Sequence, residues 1–231
     1  MSKARKPQQL KLDLRKRGGK RKGAGRPSVS GGRRHEKRPH ITGREPLHVT
    51  IKLKEGRPSL KQKIVWKVFK RAVERARLKG LRLAHFALLS NHAHLILEAQ
   101  DNDTLAQGLK SFLITLAKAL NKLASLKGSV LKDRYHLHVL TTPTEVRRAL
   151  SYVCANEAKH RQSHEIRLDA FASTALLREN IVGSSLLKAY VVQAMTSSQL
   201  EALLTLLKEI CATPRTWLLS KGWKIERSRI P

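Results

Sequence analysis

The order in which apolar residues change their spacing along the chain limits the possible folds most strongly. From Leu47 onward, short stretches with alternating apolar residues, typical of strands, are interrupted by longer stretches with apolar residues three and four positions apart, typical of helices. The first helical stretch is expected to stop at Gly80. The predicted strands lie at 48–53, 81–88, from 92 onward and within 130–140, and the predicted helices lie at 61–79, 104–126 and from 143 onward. The order β-α-β-β-α-β-α predicts an α+β fold in which helices cover one face of an antiparallel sheet.

The first 46 residues differ from the rest of the chain. They hold 16 of the 47 Lys and Arg residues but only three acidic residues, with few apolar side chains, and this composition predicts a disordered basic arm. Within the arm, residues 20–27 resemble an AT-hook core, which makes Arg21, Lys22 and Arg26 candidate DNA-binding residues, because Arg side chains enter narrow minor grooves. The simpler interpretation is a polycation that binds phosphates without sequence preference.

The charge of the chain indicates its class of partner. The formal net charge is +30, which opposes compaction by self-repulsion unless a polyanion binds, and nucleic acid is the polyanion we expect. The sequence has no apolar run of membrane-spanning length. Its two cysteines, Cys154 and Cys211, fit neither a disulfide framework nor a zinc site. We therefore expect a bacterial protein of the cytoplasm, associated with the nucleoid and not with a membrane.

Two histidines occupy alternate positions on the third predicted strand. The segment 90–97 reads Ser-Asn-His-Ala-His-Leu-Ile-Leu, a turn signal followed by strand-forming residues. Successive side chains on a strand point to opposite faces, so His92 and His94 are expected to project together. Neutral imidazole is the commonest metal ligand in proteins. The pair is therefore a candidate metal site, although two surface histidines would give the same pattern.

The last helix of the predicted core carries a tyrosine and an asparagine four residues apart. Thr142 is a candidate N-cap, followed by Pro143 and by Glu145, which would complete a capping box. Tyr152 and Asn156 share one face of this helix. A phenol and a carboxamide could thus point at the histidine pair, although a half-buried tyrosine and a fraying helix end would also explain them.

A histidine pair on a strand, followed by a helix with a tyrosine and an asparagine, resembles the HUH single-tyrosine transposases, and most of all their REP-associated branch. The resemblance rests on His92-Ala93-His94, on the pattern Tyr-hydrophobe-x-x-Asn-x-x-Lys in the helix from Tyr152 to Lys159, and on residues 130–136. Residues 214–219 resemble the family more weakly. It spans roughly 47–160. Ser90 and Glu157 stand where the family usually has Pro, and Ala93 is small for the hydrophobic slot, yet none of these differences removes a chemical group.

The resemblance implies a ferredoxin-like fold and an enzymatic function. His92, His94 and Asn156 would be the metal ligands and Tyr152 the nucleophile. A phenol has a pKa of about 10, so it attacks phosphorus poorly unless a cation polarises a phosphoryl oxygen. Mg²⁺ or Mn²⁺ suits phosphoryl transfer better than zinc. The implied activity is cleavage and transfer of single-stranded or hairpin DNA through a 5′-phosphotyrosine, by a monomer or a homodimer.

Alternatives exist for both the residues and the function. Tyr135 could be the nucleophile, but its apparent strand position favours a sheet residue near the substrate. His136 with His138 repeats the spacing of a metal pair, but this pair has no Tyr-x-x-x-Asn partner downstream. Arg134 is a further candidate DNA-binding residue. A protein of the same fold that only binds DNA or RNA would also account for the charge, but not for the combination of His pair, tyrosine and asparagine.

The chain is therefore divided into a basic arm (1–46), a catalytic domain (47–160) and a small helical extension (161–231). In the extension, helices are predicted at 168–177, 184–195 and 198–211.

Overall fold

The computed structural model describes residues 38–177, 191–192 and 194–224. Contacts divide the chain into two units, Met1–Arg38 and Pro39–Pro231. The first unit contains most of the predicted basic arm, so Arg21, Lys22 and Arg26 lie outside the described residues.

A four-stranded antiparallel sheet forms the centre of the fold, with the strand order β2-β3-β1-β4. The core elements follow one another as β1 (Leu47–Lys52), α1 (Lys63–Arg77), β2 (Arg82–Leu88), β3 (His92–Glu98), α2 (Asn102–Leu123), β4 (His136–Val139) and α3 (Pro143–His160). This is the predicted order, and the α+β fold class is confirmed. Of the two central strands, β3 carries the histidine pair.

Helices α1 and α2 pack on one face of the sheet, as the sequence predicts. Their apolar stripes close over alternate strand residues, including Leu95 and Leu97 of β3, and the large buried side chains Phe69, Phe86 and Phe112 fill this first core. Helix α1 ends at Arg77, and the chain then reverses through Gly80, whose φ of +80° is costly for any residue with a Cβ atom.

Helix α3 packs on the opposite face of the sheet. Its apolar residues Val146, Leu150 and Val153 form a second core with Ile96 of β3 and Ala84 of β2. The prediction of helices on one face is therefore right for α1 and α2, and α3 adds a third layer. Because a strand residue that points away from the first core points toward α3, this layer decides which side chains can meet the tyrosine helix.

The extension that follows α3 contains both helix and strand. Its described elements are β5 (Glu165–Ile166), a 3₁₀ turn (Ser173–Leu177), β6 (Val191–Val192), α4 (Ser197–Ile210), α5 (Trp217–Ser220) and a second 3₁₀ turn (Gly222–Lys224). Helix α4 confirms the prediction at 198–211. The helix predicted at 184–195 is wrong at Val191–Val192, which pair in parallel with β5, and residues 184–190 lie outside the described part.

The buried carboxylate of Glu98 holds the extension against the sheet. It accepts hydrogen bonds from the backbone nitrogens of Arg215 and Thr216, at 2.9 and 2.8 Å, and from the Thr216 hydroxyl at 2.9 Å. Arg82 pairs with the same carboxylate at 3.3 Å. The end of β3 and the start of α5 are thereby joined through one side chain. Within the described residues, no helix is both long and apolar enough to cross a membrane.

Candidate active site

Histidines collect on the face of the sheet that α3 covers. The register pairs Thr50 with His94 on one side and with His136 on the other, so these side chains share a face. Of the nine histidines that the structure describes, six lie on this face: His48, His85, His92, His94, His136 and His138. The two predicted ligand histidines are therefore part of a larger set, and their individual contacts decide what each can do.

His94 is the most enclosed member of the predicted pair. Its side chain is buried, and its Nδ1 lies 3.1 Å from the Thr50 hydroxyl and 3.2 Å from His48 Nε2. Its other nitrogen, Nε2, is buried and has no hydrogen-bond partner among the described residues. One edge of the ring is thus held by β1, and the other edge offers a free nitrogen.

His92 lies at the rim of the site. Its Nδ1 is 2.8 Å from the side-chain oxygen of Asn91, and its ring centroid is 5.0 Å from that of His94. The ring of His160, at the end of α3, lies 5.3 Å from His92 on its other side. His92 is half-buried, so it can reach solvent or a bound ligand more easily than His94 can.

Helix α3 places Tyr152 against His94. The helix begins with the predicted capping box, in which the side chains of Thr142 and Glu145 each accept a hydrogen bond from the other residue's backbone nitrogen. Pro143 is the first helical residue. The Tyr152 ring stands edge-on to His94, with centroids 4.9 Å apart, and its side chain is 38% exposed. The ammonium group of Lys159 lies 5.6 Å from the centre of the tyrosine ring. The phenol thus lies between His94 and solvent.

Asn156 lies one helical turn beyond Tyr152, on the side of α3 that meets β3. Tyr152 contacts His94 and His160 contacts His92, so Asn156, halfway between them on the helix, is level with the pair. Its side chain is 2% exposed, and its Nδ2 has no hydrogen-bond partner among the described residues. A buried amide without a partner is costly, and such groups in folded proteins call for an explanation.

The next residue on α3 fastens the helix to the loop before α1. The carboxylate of Glu157 pairs with Lys61 Nζ at 2.5 Å, and Asp169 lies 3.5 Å from the same ammonium group. A proline at position 157 could not make this ion pair. Glu157 therefore has a structural role at the position where the resemblance would favour Pro.

The histidines beside Tyr152 are held neutral at neutral pH. Burial lowers the pKa of His94 to about 3, and repulsion from His48, His92 and His160 adds to the effect. Burial also lowers the pKa of His48 to about 4 and the pKa of His92 below its usual value. Neutral imidazoles carry a lone pair, so these rings are in the state that binds cations.

The donor set for a cation at this site consists of two imidazoles and one amide. Over residues 38–177, 191–192 and 194–224, no group of three or more His, Cys, Asp or Glu side chains is arranged to hold a metal ion. An ion bound here would thus need Asn156 as well as the histidine pair, with phosphate oxygens or water completing its shell. The buried partnerless atoms of His94 and Asn156 fit that use.

The alternative residues lie away from the contacts around Tyr152, although His136 and His138 share the same face of the sheet. Tyr135 packs against the first core, on the α1–α2 side of the sheet. His136 and His138 lie on the exposed edge strand β4, and the nearest acid to His138 is Glu145, at 3.8 Å. Arg134 is exposed in the segment just before β4. Of the predicted site residues, the structure brings together His92, His94, Tyr152 and Asn156.

Three contributors to the site escaped the sequence analysis. His48 and Thr50 reach His94 from the neighbouring strand, and His160 reaches His92 from the end of α3. The spacing of Tyr152, Asn156 and His160 by four residues was a readable signal for His160. Nothing local marks His48, because its neighbour depends on the register between β1 and β3.

Comparison with solved structures shows which fold this is. The structure of a REP-associated tyrosine transposase bound to a REP hairpin matches with a TM-score of 0.50 and 18% identity, covering 71% of this chain and 94% of that one. A candidate transposase from Deinococcus radiodurans matches with a TM-score of 0.36 and 14% identity, covering 51% and 90%. No family model and no curated protein matches the chain. The second unit thus has a tyrosine-transposase-like fold.

Proposed function

We propose that this protein cleaves single-stranded or hairpin DNA and transfers the cleaved strand through a covalent link to Tyr152. The observation that carries the proposal is the pair of buried, partnerless atoms, His94 Nε2 and the Asn156 amide nitrogen, beside a partly exposed tyrosine. Buried polar atoms without partners are few in folded proteins, and a catalytic role or a bound ion is one of the explanations for them.

A divalent cation held by His92, His94 and Asn156 would complete these groups. Rotation of the Asn156 amide by half a turn exchanges its nitrogen and oxygen, so the oxygen can face the histidines. The amide oxygen and the phosphate oxygens suit Mg²⁺ or Mn²⁺, and the two imidazole nitrogens would supply the remaining protein ligands. When bound, such an ion would polarise a phosphoryl oxygen and make the phosphorus more electrophilic.

The chemical step uses groups of this chain. The Tyr152 oxygen forms a bond to phosphorus, the bond from phosphorus to the 3′-oxygen breaks, and the proton lost by the phenol is balanced by the one that the 3′-oxygen takes up. The products are a 5′-phosphotyrosine and a free 3′-hydroxyl, and the phosphodiester energy is kept in the new link. Attack by the 3′-hydroxyl of another strand reverses the step and completes strand transfer without ATP.

The substrate class follows from charge and from the fold comparison. The net charge of +30 favours a polyanion, and the solved transposase of similar fold is bound to a REP hairpin. We propose that Arg134 contacts DNA near the rim of the site and that Arg21, Lys22 and Arg26 contact it from the arm. Tyr152 meets His94 within one chain, which is compatible with either a monomer or a homodimer.

The decisive experiment detects the covalent link and its polarity. Hairpin DNA with a single-stranded flank is labelled at either its 5′ or its 3′ end, incubated with the protein and Mn²⁺ or Mg²⁺, and separated under denaturing conditions. We expect only the 3′-labelled fragment to migrate with the protein. The adduct should disappear with a chelator and in Tyr152→Phe, whereas Tyr135→Phe, the matched control, should retain it.

The same experiment distinguishes the competing functions. Tight binding of hairpins without an adduct, with both metals and with several hairpin sequences, would show a DNA-binding protein that does not cleave. A preference for RNA of the same sequence would point to an RNA-binding protein. An adduct that survives Tyr152→Phe would overturn the assignment of the nucleophile.

A further inference from the structure

The edge of His94 that faces away from the site is contacted by two side chains of β1. Thr50 lies directly across from His94 in the register of β1 and β3, and His48 lies two residues earlier on the same face. The Thr50 hydroxyl and His48 Nε2 both lie within hydrogen-bond distance of His94 Nδ1, at 3.1 and 3.2 Å. The two contacts meet at one nitrogen, so they act on one proton.

The neutral imidazole of His94 can carry its proton on either nitrogen, with different consequences. With the proton on Nε2, a buried N–H group would face the site without an acceptor among the described residues, and orphaned buried donors are rarer in proteins than under-satisfied acceptors. With the proton on Nδ1, His48 Nε2 and the Thr50 hydroxyl are both available as acceptors. The second arrangement satisfies the donor and leaves the Nε2 lone pair free.

We propose that His48 and Thr50 are positioning residues that hold His94 in its Nδ1–H tautomer, with the Nε2 lone pair directed into the site. This inference rests on the proposed function in so far as the lone pair is there to bind a cation. A partner at the second ring nitrogen of a ligand histidine fixes both its tautomer and its orientation. His48 has this relation to His94.

His48 also helps to position the tyrosine. Its ring centroid lies 6.2 Å from that of Tyr152 in an edge-to-face arrangement and 5.4 Å from that of His94. Rotation of the His48 ring would therefore disturb both neighbours. The neighbouring His138 lies directly across from His48 on β4 and is exposed, and repulsion from it helps to lower the pKa of His48. His138→Phe is therefore a matched control, because it changes a neighbour of His48 and leaves both contacts of His94 Nδ1 in place.

The test reads the tautomer of His94 by ¹⁵N-resolved NMR of the full-length protein without added metal, with His94→Ala used to assign the signals. We expect the Nδ1–H form in the wild type. We expect a mixture of tautomers in the double variant His48→Phe/Thr50→Val, which keeps ring and side-chain volume but removes both acceptors. The single variant His48→Gln keeps Thr50 and supplies an amide oxygen that can accept the hydrogen bond, so it should retain the Nδ1–H form. His138→Phe should also retain it.

Metal binding supplies a second readout. Titration with Mn²⁺ alone, followed by electron paramagnetic resonance, should show affinity lowered about 10- to 100-fold in the double variant and near wild type in His48→Gln and His138→Phe. Thermal unfolding and hairpin binding report whether the variants keep their fold.

The outcomes separate this inference from the proposed function. An Nε2–H tautomer in the wild type, or an unchanged tautomer in a folded double variant, would overturn the inference. Absence of Mn²⁺ binding in the wild type, together with the expected tautomers, would count against the proposed cation and leave the positioning of His94 established. Equal loss of Mn²⁺ affinity in His138→Phe would show a general effect of the histidine-rich face and would also overturn the inference.

Discussion

At the scale of single residues, the site contains side chains that folding alone does not favour. Asn156 is buried on a helix whose other buried residues are apolar, and its Nδ2 lacks a partner among the described residues. His94 has a buried nitrogen in the same condition. Each costs stability, because a buried polar group without a hydrogen bond has lost its water. Both residues are close to the same tyrosine, because His94 contacts its ring and Asn156 follows it by one turn of α3.

The first prediction at this scale concerns Asn156. Replacing it with Leu removes a buried amide and adds apolar volume of similar size, so we expect the free energy of unfolding to stay within about 1 kcal/mol of the wild type or to rise. Formation of the Tyr152–DNA adduct should be lost. Thermal unfolding and the adduct assay measure the two effects.

The control for this substitution is Val153→Asn, which places an amide in the second core three residues before Asn156 on α3. It should destabilise the protein by about 2 kcal/mol, since the new amide has no partner there. A similar loss of stability in Asn156→Leu would show that Asn156 has a structural role.

At the scale of elements, local sequence patterns predict boundaries well. The capping box of α3 was readable because Thr142 and Glu145 lie three residues apart and bond within one turn. The stop of α1 was readable because Gly80 adopts a positive φ. Both features depend on residues close together in sequence, so no knowledge of tertiary structure was needed.

Contacts between elements were harder to predict. The sequence placed His92 and His94 on one face but did not show that α3 crosses to that face, while α1 and α2 take the other. The role of His48 depends on the pairing of residues 46 positions apart, which alternation along a strand does not specify. The predicted residues of the site could therefore be found from spacings within one strand or one helix. His48 and Thr50 were missed because their contact with His94 depends on how β1 pairs with β3.

The second prediction belongs to the scale of elements and concerns the junction between β3 and α5. Glu98→Ala removes the acceptor for two backbone N–H groups and the Thr216 hydroxyl, and we expect the free energy of unfolding to fall by about 3 kcal/mol. Hydrogen exchange should show the loss first in α5 and the turn after it.

The control for the junction is Glu201→Ala, an exposed carboxylate on α4, which should change stability by less than about 0.5 kcal/mol. If exchange in Glu98→Ala increased equally throughout the sheet, the carboxylate would be part of the central core and not a specific fastening of the extension.

At the scale of the whole molecule, buried histidines make the fold sensitive to acid. Burial lowers the pKa of His85 from 6.5 to about 4, and its Nδ1 lies 3.3 Å from the Ser173 hydroxyl. Between these two pKa values the unfolded chain binds a proton that the folded chain excludes. Stability is therefore full above pH 6.5 and falls as the pH drops toward 4. The lowered pKa values of His48 and His94 act in the same direction.

The third prediction concerns this dependence of stability on pH. His85→Gln removes one titrating group, so we expect the loss of unfolding free energy between pH 7 and pH 4 to be smaller than in the wild type by about 3 kcal/mol. Denaturant unfolding at a series of pH values gives the slopes. His40→Gln, at an exposed position, should leave the slope unchanged. Equal slopes in the wild type and His85→Gln would mean that folding does not lower the pKa of His85.

The division of the site between two layers has a consequence for how activity can be lost. The imidazoles belong to the sheet, and the phenol and the amide lie one turn apart on a single helix, so distances within each half are fixed by secondary structure. The distance between α3 and the sheet is not fixed in this way, and it depends on the packing of the second core. If this seam between helix and sheet widened, the phenol of Tyr152 and the amide of Asn156 would move away from the histidines together. Inactivation on warming should accordingly be abrupt, and should coincide with the opening of that seam rather than with the melting of the chain as a whole.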